Sequence, residues 1–233
     1  MEFADHSTAL VLLSGGLDST VALAWALERY GRDLVPNVST ISFRYGQRHT
    51  KELESAEKIA RFYHVSNHVV DLPPDIFHGS GSSLMGESDV PDATYGDMGH
   101  EGPSSTYVPY RNGVFLSIAA ARAQALGIST IVGGYHANDA LHWAYPDCTN
   151  EFLGPMAASV FVGTYGKVRL QTPFVYHMKR DIVDLGFRLK APFKLTWSCY
   201  NGGELACGKC PTCVERLEAF SAGGHWDPVE YQA

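Results

Sequence analysis

Residues 9–20 read Ala9-Leu10-Val11-Leu12-Leu13-Ser14-Gly15-Gly16-Leu17-Asp18-Ser19-Thr20. The unbroken apolar run Ala9–Leu13 predicts a strand buried on both faces, as in a parallel sheet. A Ser/Gly turn follows, then a helical pattern, so the turn lies between a strand and a helix start. Backbone N–H groups and the helix dipole favour an anion at such a start. Gly15 and Gly16 let the chain turn tightly and approach a phosphate closely. Ser14, Ser19 and Thr20 add hydroxyl donors. Asp18 is the odd member, because a carboxylate repels phosphate. It fits if it holds a Mg²⁺ that bridges to the phosphate. The turn matches neither the lysine-containing phosphate loop nor the dinucleotide fingerprint. The plain alternative is a strand–turn–helix corner with chance glycines.

The rhythm continues from there. Ser19–Tyr30 reads as a helix, Val38–Phe43 as a strand, Lys51–Tyr63 as a helix and Asn67–Leu72 as a strand. Repeated βα units predict a doubly wound parallel sheet with right-handed crossovers. Residues 73–112 are rich in Gly, Ser, Pro and Asp and break the pattern; a segment of that length reads as a lid or subunit contact, or as a passive insertion. Gly113–Leu126 returns to helix and Thr130–Gly134 to strand. Glu151–Tyr165 reads as a helix with Asn150 as N-cap. Val168–Thr172 reads as extended and Lys179–Leu189 as a helix with one apolar side.

The chain has 233 residues and is 45% hydrophobic, enough for one α/β domain with a full core and a small appendage. A formal net charge of −7 argues against a broad electrostatic grip on nucleic acid. No apolar run reaches a membrane span. The acidic start, Glu2 and Asp5, is unlike a signal peptide, so a cytoplasmic location is expected.

Four of the five cysteines fall between residues 199 and 213. In a cytosolic chain that crowding reads as metal before disulfide. Four thiolates from Cys199, Cys207, Cys210 and Cys213 suit tetrahedral Zn²⁺. An iron–sulfur cluster is the competing metal reading. Cys148 stands apart and reads as a small buried hydrophobe or a catalytic thiol. His136, Asp139 and His142 raise the thought of a second metal.

Five blocks now stand in order: Ser14–Thr20, Tyr45-Gly46-Gln47-Arg48-His49, Val108-Pro109-Tyr110-Arg111-Asn112, Tyr145-Pro146-Asp147-Cys148 and Thr196-Trp197-Ser198-Cys199-Tyr200-Asn201-Gly202. The first resembles the pyrophosphate loop of enzymes that split ATP into AMP and pyrophosphate. Together with the later cysteines, the set resembles the 7-cyano-7-deazaguanine synthase family, QueC, from Leu10 to about Phe220. The resemblance implies a Rossmann-like α/β sheet flanked by helices over residues 1–195. Residues 196–233 are then a small zinc-binding C-terminal appendage.

The resemblance also implies an activity. The family uses ATP and Mg²⁺ to adenylate 7-carboxy-7-deazaguanine. Ammonia displaces AMP, and a second activation dehydrates the amide to the nitrile, a product that feeds queuosine. On that reading Asp18, Ser14 and Ser19 are catalytic. ATP rests on Leu13, Ser14, Gly15, Gly16, Leu17, Asp18, Ser19, Thr20 and Arg111. Tyr45, Arg48, Asn112 and Asp147 meet the substrate, with Tyr107 as a further stacking candidate. His49 has no assigned role. A homodimer is implied.

Three features depart from the family pattern. Arg44 stands where Asp is usual, Tyr110 where Gly is usual, and the Gly134–Tyr145 region is longer. They leave the first activation intact and open a second reading, a ligase joining the adenylated carboxylate to another amine such as a protein N-terminus. A third reading is a zinc-knuckle binding module without catalysis.

Overall fold

The computed structural model describes residues 8–31, 37–48, 50–86, 89–90 and 103–232. His49, the acidic start and the middle of the 73–112 segment lie outside the described residues. Five strands form one sheet: β1 (Ala9–Leu12), β2 (Val38–Arg44), β3 (Asn67–Asp71), β4 (Thr130–Val132) and β5 (Arg169–Gln171). Their spatial order is β3-β2-β1-β4-β5, and every pair is parallel. The order reverses between β1 and β4, where a doubly wound sheet opens its ligand crevice.

Side chains alternate along β1 and seed a core on each face. Ala9, Val11 and Leu13 join a cluster with α1 (Leu17–Tyr30), α2 (Lys51–Phe62), α6 (Lys179–Arg188) and α7 (Pro211–Ala222). Leu10 joins the opposite cluster with α3 (Arg111–Leu126) and α5 (Asn150–Gly163), between which the chain forms the short α4 (Ala137–Ala140). Both faces are therefore dry, which is why the strand residues are apolar without interruption.

Two local readings change. Asn150 is the first residue of α5 rather than its cap. Thr149 takes the cap in extended geometry, its hydroxyl accepting from the Phe152 amide at 3.3 Å and donating to the Pro146 carbonyl at 2.7 Å. Arg44 ends β2 beside Asp71 of β3, in register, and the two form an exposed ion pair. The expected strand and helix ends otherwise shift by one or two residues, as fraying ends do. The described flanks of the 73–112 segment are pinned. Ser83 donates to Ser105 at 3.0 Å, Ser104 to Ala144 at 3.0 Å and Arg48 to Leu84 at 3.0 Å, all through backbone.

After α6 the chain returns through Phe193–Leu195, a single 3-10 turn, to the cysteine segment and α7. Phe220 on α7 packs edge-on against Phe193, with ring centroids 5.1 Å apart. Arg216 is 1% exposed, and its guanidinium grips Asp227 with Nε at 2.7 Å and Nη2 at 2.9 Å. Its remaining donors reach the Thr196 hydroxyl at 2.7 Å and the Ser198 hydroxyl at 3.2 Å. This one side chain ties the tail to the segment that approaches the β1 loop. Arg216→Met leaves Asp227 charged, buried and uncompensated. The expected cost is about 3–5 kcal/mol, read as a lower denaturation midpoint in urea, with Asp227→Asn costing less.

Candidate active site

The loop after β1 holds its own shape. The Ser14 and Ser19 hydroxyls lie 3.0 Å apart, and Ser14 Oγ accepts from the Gly16 amide at 3.2 Å. Thr20 Oγ1 donates to the Gly16 carbonyl at 2.7 Å, and Ser19 Oγ donates to the same carbonyl at 3.1 Å. Gly15 has φ +92°, and a Cβ there would stand 2.1 Å from the Glu52 carbonyl oxygen, so α2 approaches the loop too closely for any other residue. The Trp197 amide donates to the Gly15 carbonyl at 2.9 Å, which brings the C-terminal segment against the loop. On the other side, a Cβ on Gly134 would meet the Asp18 carbonyl oxygen at 2.8 Å. The turns after β1 and β4 thus meet at the switch point.

They open onto a cavity of about 260 Å³. Leu13, Ser14, Gly16, Leu17, Asp18 and Ser19 line its floor, and Leu84, from the expected lid, lies at its wall. Gly15 and Thr20 shape the loop from behind rather than lining the cavity.

Asp18 sits in a network that sequence reasoning saw only in part. Its Oδ2 is 3.4 Å from Lys179 Nζ and 3.5 Å from His136 Nε2. Lys179 Nζ donates to Glu215 Oε2 at 2.6 Å, and His136 Nε2 is 3.4 Å from Asp139. His142 is not part of this cluster; Glu215 takes the place expected for it. Burial alone would raise the Asp18 carboxyl, but Lys179 and His136 outweigh it and hold it well below the usual range. Burial opposes the charge on His136, yet Asp139 and Asp18 push its pKa up to about 9. The Lys179 ammonium is likewise held charged, against burial, by Asp18 and Glu215. Asp18 Oδ1 is buried without a hydrogen-bond partner, a free oxygen suited to a hard cation.

Across the cavity, Arg111 at the start of α3 donates from Nη1 to the Tyr45 hydroxyl at 3.0 Å. Glu52, on the first turn of α2, lines the same wall; burial raises its carboxyl to about 7, with Arg111 partly opposing. Tyr45, Arg48 and Asn112 also line the cavity. Asp147 does not. Its Oδ2 accepts the Asn112 amide at 2.9 Å, an anion at the helix start, and it is 3% exposed. Asn112 Nδ2 reaches Cys148 Sγ at 3.3 Å, and burial keeps that thiol protonated. The Tyr107 hydroxyl accepts from the Tyr110 amide at 2.9 Å. Tyr110 has φ +56°, the left-handed region that explains a usual glycine there, and it lies outside the cavity lining, as does Arg44.

The cysteines do converge. One sulfur from each of Cys199, Cys207, Cys210 and Cys213 lies within 4.8 Å of the others, and all four are free of disulfides. The Cys207 and Cys213 sulfurs are 3.9 Å apart. A tetrahedron with 2.3 Å zinc–sulfur bonds has edges of about 3.8 Å. The Cys207 and Cys210 amides donate to the sulfurs of Cys199 and Cys207 at 3.4 and 3.3 Å, which favours thiolates. The donor set fits a closed four-sulfur metal site.

Glu52, Lys179 and Glu215 were missed as site residues. Lys179 follows Met178 at the start of an amphipathic helix, where a lysine reads as solvated surface. Nothing local marks it.

The comparisons agree with this geometry. The family described as queuosine biosynthesis protein QueC matches residues 8–224. A 7-cyano-7-deazaguanine synthase of Picrophilus torridus is 43% identical over 96% of this chain and 91% of its own. That of Thermoplasma acidophilum is 40% identical over 98% of this chain and 93% of its own. Among solved structures, an NMN synthetase from Francisella tularensis superposes with TM-score 0.52 at 15% identity, covering 95% of this chain and 79% of that one, which shows a shared fold. The matched span runs from β1 to the end of the cysteine helix and carries every block of the cavity. The chain belongs to the QueC family of ATP-dependent enzymes.

Proposed function

We propose that this chain converts 7-carboxy-7-deazaguanine to the nitrile 7-cyano-7-deazaguanine, using ATP and ammonia. The observation that carries the reading is the meeting of the Ser14–Thr20 loop, the Asp18–Lys179 pair and the Tyr45–Arg111 pair on one cavity at the switch point. The substrate carboxylate attacks the α-phosphorus, and pyrophosphate leaves. Loop N–H groups and Lys179 face the charge that develops on that leaving group. Ammonia then attacks the acyl carbon and AMP departs, giving the amide. In a second activation the amide oxygen is adenylated and lost with AMP, leaving the nitrile.

The free Asp18 oxygen is the atom to hold Mg²⁺, which would neutralise phosphate charge there. Tyr45, Arg48 and Asn112 are assigned to the substrate from their place on the wall. Asp147 acts on it through Asn112, by fixing the start of α3. Zn²⁺ is assigned to the four sulfurs as a structural ion. We carry forward the homodimer, the cytoplasmic location and the division at residue 195 on the same footing. Among the described residues no helix is long and apolar enough to cross a membrane.

Of the three departures that raised a larger amine acceptor, Arg44 and Tyr110 do not line the cavity, whereas Gly134, Tyr135 and Asp139 of the longer region do. The ligase and the binding module therefore become outcomes of the test. Purified protein is mixed with 7-carboxy-7-deazaguanine, Mg-ATP and ammonium, and the products are read by mass spectrometry with AMP counted. Nitrile with two AMP per product is expected. Amide with one AMP sinks nitrile synthesis in favour of a ligase. No AMP sinks both and leaves a binding module.

Asp18→Ala should lower turnover by at least about 100-fold, a loss of the size seen when a charge-stabilising group is removed. Circular dichroism should be unchanged. Normal turnover would contradict the role of Asp18. Cys210→Ser should lower bound zinc and thermal midpoint together, because metal affinity in such a site is folding energy. Zinc at one per chain in the variant would discard the four-cysteine assignment.

A further inference from the structure

Lys179 reaches the loop only because something holds it there. Its long side chain is buried, and an ammonium in that setting needs close acceptors. Two are present. Asp18 at 3.4 Å lies on the loop side, and Glu215 Oε2 at 2.6 Å lies on the other. Glu215 is 9% exposed and does not line the cavity, so it does not face a ligand itself. It stands on the second turn of α7, whose first turn carries Cys213 and whose cap is Cys210. Thr212 on the same helix donates to the Ser198 carbonyl at 2.7 Å, beside the Trp197 contact with Gly15. Arg216 locks the helix through Asp227. The carboxylate is therefore mounted on a rigid support, and Lys179 swings from α6 toward it.

We propose that Glu215 is a positioning residue that holds the Lys179 ammonium beside Asp18 and the pyrophosphate loop, linking the cysteine helix to phosphate handling. The proposal rests on the reading of the loop as a pyrophosphate site but not on the identity of the carboxylate substrate. Without the carboxylate at 215 the ammonium pairs more closely with Asp18, which takes both groups away from the phosphate. An ion pair that serves stability alone would leave phosphate binding untouched.

A double-mutant cycle on Mg-pyrophosphate affinity, measured by calorimetry, separates the two. Glu215→Leu and Lys179→Met should each weaken binding by about tenfold, the size of a charged hydrogen bond. The double variant should bind no more weakly than Lys179→Met alone. Glu215→Gln, which keeps an acceptor but loses the charge, should weaken binding by about threefold and serves where Leu impairs folding. Unchanged affinity in Glu215→Leu and Glu215→Gln, or losses that multiply in the double variant, would overturn the proposal. Absence of pyrophosphate binding by the parent protein would overturn it too. The same cycle in kcat with 7-carboxy-7-deazaguanine should follow the affinity cycle. A parent that binds pyrophosphate yet turns over none of that substrate would sink the substrate reading and leave the positioning role decided by calorimetry.

Discussion

A carboxylate at the mouth of a proposed anion site is an electrostatic contradiction, and the architecture of this chain is organised around resolving it. Asp18 sits on the first turn of α1, where the helix dipole and the loop amides favour negative charge. On the proposed reading the same place receives phosphate. Left alone, Asp18 would repel such a ligand, and burial would raise its carboxyl. The chain instead brings a lysine from α6 and a histidine from the turn after β4 to within 3.5 Å of it. Those cations are then balanced by Asp139 and Glu215. The result is a compact alternation of charge, in which Asp18, His136 and Lys179 are each held charged by their neighbours.

That alternation constrains the fold. His136 must come off β4 beside the β1 loop, which the switch in strand order provides. Gly134 permits the approach, since any side chain there would collide with the Asp18 carbonyl. Lys179 must arrive from a helix after β5, and its partner Glu215 from a helix after that. The α7 helix is accordingly fixed twice, by Phe220 in the core and by Arg216 on Asp227.

These facts explain what could be read before the structure. The βα rhythm, the parallel sheet and the loop were legible, because apolar runs and local glycines carry them. The four cysteines were legible because their spacing is short. Asn112, Tyr45 and Arg48 were found through resemblance, and they do line the cavity. Lys179 and Glu215 were not found. Each looks like an ordinary helix charge, and 36 residues of chain separate them before a 2.6 Å contact. Asp147 looked like a substrate contact, yet its carboxylate accepts an amide at the start of α3, a use that depends on two loops meeting. Local pattern reports local backbone; the pairing of charges is a property of the tertiary contact.

The same reasoning bears on two of the three departures from the family pattern. Arg44 reverses a charge beside a motif, but Asp71 stands opposite it in register, and the pair is exposed. An exposed pair contributes about 0–1 kcal/mol, too little to reshape a site. Tyr110 replaces a glycine at φ +56° and keeps that geometry, its ring leaning on Phe152 at 5.4 Å between centroids. The strain stays in the cap, while Arg111 and Asn112 still begin the helix and still reach the cavity. A substitution matters to chemistry when it alters the cavity or the charges that hold it. By that measure both changes are peripheral, and the buried lysine carried between two carboxylates is central.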